Sequence, residues 1–231
     1  MSVSAVLLFG SLARKDHGRG SDTDLLLIAP GSRPRHIVAG HLSMFFYSWT
    51  KLKRGAAAGD LFVCHIVREA QPLFDPEKKL ETLRDLFRYR DSYAEDIAKA
   101  ADLGWYLDRF GATLDPQVAA RRTVWCVRTI LIARSVEAGT PVFAPQALGA
   151  FAKTKAAQEL ILARHQRRPD ALMRGLFRQF LRQETEENEL RLHGSIEAFE
   201  SHFQATGNTV AQQTISKLDR GDAAPATGNY R

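Results

Sequence analysis

Two aspartates separated by one residue have the clearest capacity for chemistry in this chain. Asp22 and Asp24 open an apolar run that ends at Ile28 and is typical of a β-strand. Side chains on a strand alternate between faces, so both carboxylates point to one side, roughly 7 Å apart at the backbone. Carboxylates placed in this way, together with substrate phosphates, are ligands that Mg²⁺ prefers. The pair therefore predicts a metal site for phosphoryl or nucleotidyl transfer; two solvated aspartates on an ordinary hairpin are the alternative.

A small polar turn precedes the acidic pair. Gly10 and Ser11 follow a first apolar run, and Ser21 stands directly before the acidic pair. Backbone N–H groups and a hydroxyl at such a turn can hold phosphate oxygens. Arg14 predicts a charge-assisted contact with the same phosphates. The alternatives are a simple turn serine for Ser11 and a solvated loop charge for Arg14.

This pattern resembles the DNA-polymerase-β-like nucleotidyltransferase superfamily, in particular its small bacterial members. The residues that carry the resemblance are Gly10, Ser11, Arg14, Ser21, Asp22 and Asp24. The likeness covers residues 1–76 well and the rest of the chain loosely. It implies a nucleoside triphosphate substrate and Mg²⁺ or Mn²⁺ as cofactor. The two aspartates would hold the metal and act in catalysis, and the other four residues would bind the nucleotide.

One departure from the superfamily pattern concerns a third carboxylate, which a later strand usually supplies. The corresponding strand is predicted at residues 42–48 and contains no acidic residue; Ser43 lies near the expected position. Asp60 is the nearest acid, but it is predicted on the following helix, and Glu69 and Asp75 are more remote. Three alternatives stay open: the third ligand comes from elsewhere, two aspartates suffice, or the chain is a weakened enzyme.

The elements that position these residues are predicted to form a small mixed α/β domain over residues 1–76. Apolar runs predict strands at 4–10, 24–29, 42–48 and 72–74. A short helix is predicted from His36 to Gly40. A longer helix is predicted from Thr50 to Ala70, with a weak point at Gly59.

From Glu77 onward the apolar spacing is helical, and residues 77–204 are predicted to form an all-α bundle. Residues 118–136 are apolar nearly all round, which predicts a central buried helix. A later helix is predicted to face Leu172 and Phe180 inward. Residues 205–231 are polar and are predicted to be a disordered tail. The predicted fold class is thus α+β, a mixed-sheet nucleotidyltransferase domain followed by a helical bundle.

Composition is that of a globular protein, with 45% hydrophobic and 25% charged residues. The net charge of +6 permits a nucleic acid partner without requiring one. No apolar run approaches the roughly 18 residues of a membrane span, and no secretory signal is apparent. Cys64 and Cys126 lie in apolar surroundings, as buried thiols do. We therefore expect a cytoplasmic protein without a membrane partner.

Three functions follow as hypotheses. The first is a Mg²⁺-dependent nucleotidyltransferase that moves a nucleoside monophosphate onto a hydroxyl of RNA, protein or a small molecule. The second is a catalytically weakened module that binds nucleotide or RNA, which the missing third acid favours. The third is an interaction protein whose helical part binds a partner chain or a second copy.

Overall fold

The computed structural model describes residues 3–18, 20–31, 34–163 and 171–216. These residues divide into two compact units, the first ending at Asp91 and the second beginning at Ser92. The division falls later than the predicted boundary between residues 76 and 77. The reason is that the helix Lys79–Leu86 packs against the preceding helices of the first unit.

Five strands among the described residues form one mixed sheet in the first unit. They are β1 Ala5–Phe9, β2 Thr23–Ile28, β3 Arg35–Ala39, β4 Leu42–Tyr47 and β5 Gln71–Phe74. Their order is β3-β4-β2-β1-β5, with β2 parallel to β4 and the other neighbouring pairs antiparallel. The strands predicted at 4–10, 24–29, 42–48 and 72–74 are confirmed.

The prediction of a short helix from His36 to Gly40 is wrong, because these residues belong to the edge strand β3 and the turn after it. Ile37 and Val38 are β-branched and favour a strand. Gly40 adopts φ +60°, which allows the chain to reverse and β3 to pair antiparallel with β4. His36 is consequently a residue of the sheet.

Four helices accompany the sheet in the described part of the first unit: α1 Gly10–Arg14, α2 Trp49–Ala57, α3 Leu61–Glu69 and α4 Lys79–Leu86. The helix predicted from Thr50 to Ala70 is thus two helices that separate at Gly59. Gly59 has φ +63°, and a Cβ there would lie 2.7 Å from the carbonyl oxygen of Arg88. Asp60 then begins α3, since its carboxylate accepts a hydrogen bond from the backbone N–H of Val63 at 3.0 Å.

In the described residues of the second unit all regular secondary structure is helical, including a 3₁₀ turn at Gly111–Thr113. Its helices are α5 Ala94–Phe110, α6 Pro116–Glu137, α7 Pro145–Phe151, α8 Lys155–Leu162, α9 Ala171–Glu184, α10 Glu189–His193, α11 Ile196–Ala205 and α12 Thr209–Ile215. The buried helix predicted at residues 118–136 is confirmed as α6. On α9, Phe180 is buried as predicted, but Leu172 is 68% exposed and Phe177 packs inward.

The prediction of a disordered tail from residue 205 does not hold for residues 209–215, which form α12. Asn208 caps this helix by accepting from Ala211 N–H, and its amide donates to the carbonyl of Lys99 at 2.8 Å. Val210 and Ala211 are buried, so two small apolar side chains anchor a short polar segment. Residues 217–231 lie outside the described residues.

The α+β fold class is confirmed. None of the helices in the described residues has the length and hydropathy needed to cross a membrane.

Candidate active site

Asp24 lies within the sheet, where β2 has neighbours on both sides. It pairs with Phe9 of β1 and with Ser43 of β4. Paired residues of neighbouring strands share a face, and the next pairs along this face, which include Leu26, are buried. Asp24 itself is partly exposed. The carboxylate therefore stands at the open end of a sheet face on which the next residues of β2 are apolar and buried.

Gly10 brings the first turn of α1 against this carboxylate. Its backbone is left-handed, at φ +74°, and it follows β1 directly. A Cβ at this position would lie 2.6 Å from Oδ2 of Asp24. Glycine is thus required here for two reasons, the backbone conformation and the space that the carboxylate occupies.

Asp22 lies two residues before Asp24, at the entrance to β2. Its side chain is 37% exposed, and its Oδ1 is 3.7 Å from Nδ1 of His41. The neighbouring residue, Thr23, donates its backbone N–H to the carbonyl of His41 at 2.7 Å, so the start of β2 is tied to the β3–β4 turn. Sequence reasoning did not identify His41, whose approach depends on the pairing of the strands.

The two serines of the predicted nucleotide site lie in different settings. Ser11 is in the first turn of α1 and is partly exposed. Ser21 closes the loop before β2, because its hydroxyl accepts a hydrogen bond from the backbone N–H of Gly18 at 3.0 Å. Ser11 thus lies within α1, and Ser21 lies in the connection between α1 and β2. Both serines are predicted to bind phosphate.

Arg14, at the end of α1, is engaged by two carboxylates. Its guanidinium donates to Asp16 at 3.0 Å and to Oε2 of Glu69 at 2.5 Å. Oε2 of Glu69 also lies 2.7 Å from Nε2 of His65. In this structure Arg14 connects α1 to the end of α3, while its predicted contact with phosphate stays a prediction.

The charges of this cluster set the ionisation of Glu69. Burial alone would raise the pKa of Glu69, but the hydrogen bond and charge of His65, with those of Arg14, outweigh it and hold the pKa below its ordinary value. Glu69 is therefore an ionised partner of Arg14 and His65 at neutral pH. Sequence reasoning considered it only as a remote candidate for a third metal ligand.

The strand predicted at residues 42–48 is β4, and Ser43, which the sequence places near the expected position of a third carboxylate, lies within it. Ser43 is the β4 residue that pairs with Asp24, and it is fully buried. Its hydroxyl is 2.6 Å from Nε2 of His36, whose ring stacks on Phe45 at 4.1 Å. Asp60, the nearest acid in sequence, serves as the N-cap of α3 instead.

The donor set fits Mg²⁺ delivered with a substrate. Within the described residues, no three or more His, Cys, Asp or Glu side chains group together as metal ligands. Asp22 and Asp24 supply oxygen ligands only, and Mg²⁺ is commonly held by one or two carboxylates with water and substrate phosphates completing its shell. The glycine beside Asp24 leaves its carboxylate uncrowded on that side. These residues could hold the metal that the superfamily resemblance implies.

Residues 1–96 match the family model of the nucleotidyltransferase domain. The crystal structure of a nucleotidyltransferase-like protein from Exiguobacterium sibiricum 255-15 aligns at 13% identity and a TM-score of 0.37, covering 93% of this chain and 86% of that chain. A search of curated proteins gave no match. The matched region contains every residue of the predicted site. The likeness to the nucleotidyltransferase domain thus covers the first 96 of the 231 residues.

Proposed function

We propose that this protein transfers a nucleoside monophosphate from a nucleoside triphosphate to an acceptor hydroxyl in a Mg²⁺-dependent reaction. The observation that carries the proposal is the approach of Gly10 to Asp24, with Asp22 two residues away, directly before the same strand. It joins an acidic pair to a phosphate-binding turn, the two parts that this chemistry needs. The family match of residues 1–96 supports it.

Each residue of the site has a proposed role. Asp22 and Asp24 hold Mg²⁺, which when bound neutralises phosphate charge and stabilises the attacking and leaving oxygens. The backbone around Gly10 and the hydroxyls of Ser11 and Ser21 bind the phosphates. Asp24 is kept in place by the sheet on both sides, so the carboxylate needs little rearrangement when substrate binds.

The acceptor is proposed from charge alone. A net charge of +6 suits RNA slightly better than a cationic small molecule, and protein hydroxyls are a further class. A cytoplasmic location and binding of a partner or second copy through the second unit remain predictions.

The test is transfer of label from each α-³²P nucleoside triphosphate, in the presence of Mg²⁺, to total RNA, total protein or a small-molecule pool. We expect Asp22→Asn and Asp24→Asn each to abolish labelling that the wild-type protein supports. Asp85→Asn, which changes an exposed carboxylate of the same unit, is the matched control and should label normally. Equal behaviour of the wild type and both site variants with every acceptor pool would refute the proposal.

A second candidate function is a nucleotide-binding module that has lost transfer. It is favoured by the absence of an acidic residue from β4, where Ser43 lies near the position that the superfamily resemblance gives to a third carboxylate. This candidate predicts Mg²⁺-dependent nucleotide binding without release of pyrophosphate. Ser43→Asp would then place the missing carboxylate beside Asp24, and a gain of pyrophosphate release over the wild type would support the module.

A further inference from the structure

A buried polar pair lies beside the candidate metal ligand Asp24. Ser43 is 0% exposed and His36 is 3% exposed, and Oγ of Ser43 is 2.6 Å from Nε2 of His36. Buried polar groups destabilise a fold unless they are hydrogen-bonded, and an apolar pair would fit a sheet interior more simply. The presence of a polar pair at this position therefore indicates that the two side chains have a role besides stabilising the fold.

The location of the pair indicates what that reason is. Ser43 is the residue of β4 that pairs with Asp24 on the neighbouring parallel strand, and both lie on the same face. Neighbouring strands are about 4.8 Å apart, so a serine hydroxyl can reach a carboxylate at the paired position. His36 lies one pair further along this face, opposite Phe45, and its imidazole stacks on that ring at an interplanar angle of 15°. The stacking holds the plane of the imidazole, and within that plane Nε2 lies next to Ser43.

The hydrogen inventory of the pair restricts its arrangement. A serine hydroxyl has one hydrogen and two lone pairs, and a neutral imidazole carries its hydrogen on one of its two nitrogens. If Nε2 of His36 carries that hydrogen, it donates to Ser43, and the Ser43 hydrogen can be donated to a carboxylate. If Nδ1 carries the hydrogen instead, Nε2 is an acceptor, and the Ser43 hydroxyl donates its hydrogen to His36. Only the first arrangement can support Asp24.

We propose that His36 and Ser43 are positioning residues for Asp24: His36 donates from Nε2 to Ser43, and the Ser43 hydroxyl donates to the Asp24 carboxylate when metal and nucleotide bind. The inference rests on the proposed function, because it assigns a purpose to the pair only if Asp24 is a metal ligand. Ser43 is too deeply buried to contact an acceptor, so it does not replace the third carboxylate as a proton acceptor. Ser43 instead positions Asp24, the metal ligand on the neighbouring strand. Partners of this kind orient metal ligands in many proteins.

The test measures the dissociation constant of Mn²⁺–α,β-methylene-ATP by calorimetry. We expect Ser43→Ala and His36→Phe each to weaken binding by about 10- to 100-fold, the usual effect of losing a partner of a metal ligand. His36→Gln places an amide nitrogen near the position of Nε2 and should recover most of the lost affinity. Circular dichroism identifies any variant that fails to fold.

Ser135→Ala is the matched control, because Ser135 is also 0% exposed and hydrogen-bonded but belongs to the second unit. It should bind nucleotide like the wild type. If Asp24→Asn abolishes binding while Ser43→Ala and His36→Phe leave it unchanged, the inference is overturned and the proposed function survives. If Asp24→Asn binds as the wild type does, both are overturned.

A second measurement determines the position of the hydrogen on His36 in the wild-type protein. The ¹⁵N spectrum of the wild-type histidines distinguishes protonated from unprotonated Nε2. The His36 signal is assigned by its loss from the spectrum of His36→Gln. We expect this signal to show a protonated Nε2 both in the protein alone and in the protein mixed with nucleotide that contains no Mn²⁺. An unprotonated Nε2 would overturn the inference.

Discussion

At the scale of single residues, Gly10 combines a backbone requirement with a chemical one. Its φ of +74° is a conformation that other residues adopt at an energetic cost, and its missing Cβ leaves the space that Asp24 Oδ2 occupies. The glycine of the motif is therefore more than a flexible turn residue. Any side chain at this position would displace the carboxylate that we propose as a metal ligand.

Gly10→Ala is predicted to abolish nucleotidyl transfer, because the added methyl group would lie 2.6 Å from Asp24 Oδ2. Gly139→Ala is the matched control: its φ of +73° gives the same backbone strain, but nothing lies within 4 Å of the added Cβ. Both variants should lose about 1–2 kcal/mol of stability to strain, measured by urea denaturation. Equal transfer by the two variants would contradict the role assigned to Gly10.

The motif residues were predictable because they are close in sequence and have a fixed spacing. Asp22, Asp24 and Gly10 needed no tertiary information beyond the alternation of a strand. The partners of these residues were not predictable. His36 approaches Ser43 only because β3 pairs with β4, and residues 36–40 were predicted as a short helix instead of a strand.

At the scale of elements, the connection between α1 and α3 depends on Glu69. The Glu69 carboxylate accepts a hydrogen bond from the Arg14 guanidinium of α1 at 2.5 Å. It also lies 2.7 Å from Nε2 of His65 on its own helix. Both Arg14 and Glu69 side chains are largely buried, at 17% and 14% exposure. The ion pair between Arg14 and Glu69, and not apolar packing alone, therefore stabilises the C-terminal end of α1, the helix that begins with Gly10 and Ser11.

Glu69→Gln is predicted to destabilise the protein by about 2 kcal/mol at pH 7, the usual loss for a charged hydrogen bond. Since the pKa of Glu69 is lower in the folded protein than its ordinary 4.5, the stability it contributes is present above that pH and is lost as the pH falls through the folded value. Thermal denaturation between pH 7 and pH 3 should show a smaller acid-induced loss in Glu69→Gln than in the wild type.

The control for this prediction is Glu81→Gln, whose carboxylate is 63% exposed and 3.4 Å from Lys78. Exposed pairs contribute little to stability, so this variant should denature like the wild type at every pH. If Glu69→Gln retained the full acid sensitivity of the wild type, the ion pair with Arg14 would not be a determinant of stability.

A second ionic connection joins helices of the second unit. Asp102 on α5 accepts from Arg191 of α10 at 2.8 Å and lies 2.8 Å from Nε2 of His202 on α11. Asp102 and Arg191 are both 8% exposed. The carboxylate thus holds two separate helices to α5 in a buried setting.

Asp102→Asn is predicted to destabilise the protein by about 3–5 kcal/mol, because it leaves the charge of Arg191 buried without a counterion. Asp108→Asn on the same helix is the comparison, since its partner Arg178 is 54% exposed and can be solvated. Its effect should be at most about 1 kcal/mol. Chemical denaturation of the two variants measures the difference, and equal effects would refute the distinction between a buried arginine and a solvated one.

Prediction of elements from sequence succeeded where the apolar pattern was long and failed where a few residues decided the outcome. The strands around the motif and the buried helix α6 carry unambiguous apolar runs. By contrast, α12 is anchored by only three residues, the buried Val210 and Ala211 and the cap at Asn208. The surrounding sequence is polar, and its composition predicted disorder. The break between α2 and α3 falls at Gly59, which the sequence marked only as a weak point within one helix.

At the scale of the whole molecule, each compact unit contains one free thiol. Cys64 lies in the first unit and Cys126 in the second, and both are buried. Burial raises the pKa of Cys64 to about 12 and raises that of Cys126 as well. Neither thiol reacts readily in the folded state, so each reports the opening of its own unit.

Mg²⁺–α,β-methylene-ATP is predicted to slow the labelling of Cys64 by a maleimide, because ligand binding stabilises the unit that binds it. At a ligand concentration of 100 times the dissociation constant, the slowing should be about 100-fold. Labelling of Cys126, resolved from Cys64 by mass spectrometry of peptides, is the internal reference and should be unchanged. Unchanged labelling of Cys64 would place the nucleotide outside the first unit.

The central claim is that Asp22 and Asp24 jointly bind a metal–nucleotide complex. Calorimetric titration with α,β-methylene-ATP, with Mg²⁺ and then with EDTA, tests it most directly in the wild type, Asp22→Asn and Asp24→Asn. We predict saturable binding by the wild type with Mg²⁺, none with EDTA, and a loss of binding in both variants. Undiminished binding in either variant, or equal binding with EDTA, would contradict the claim.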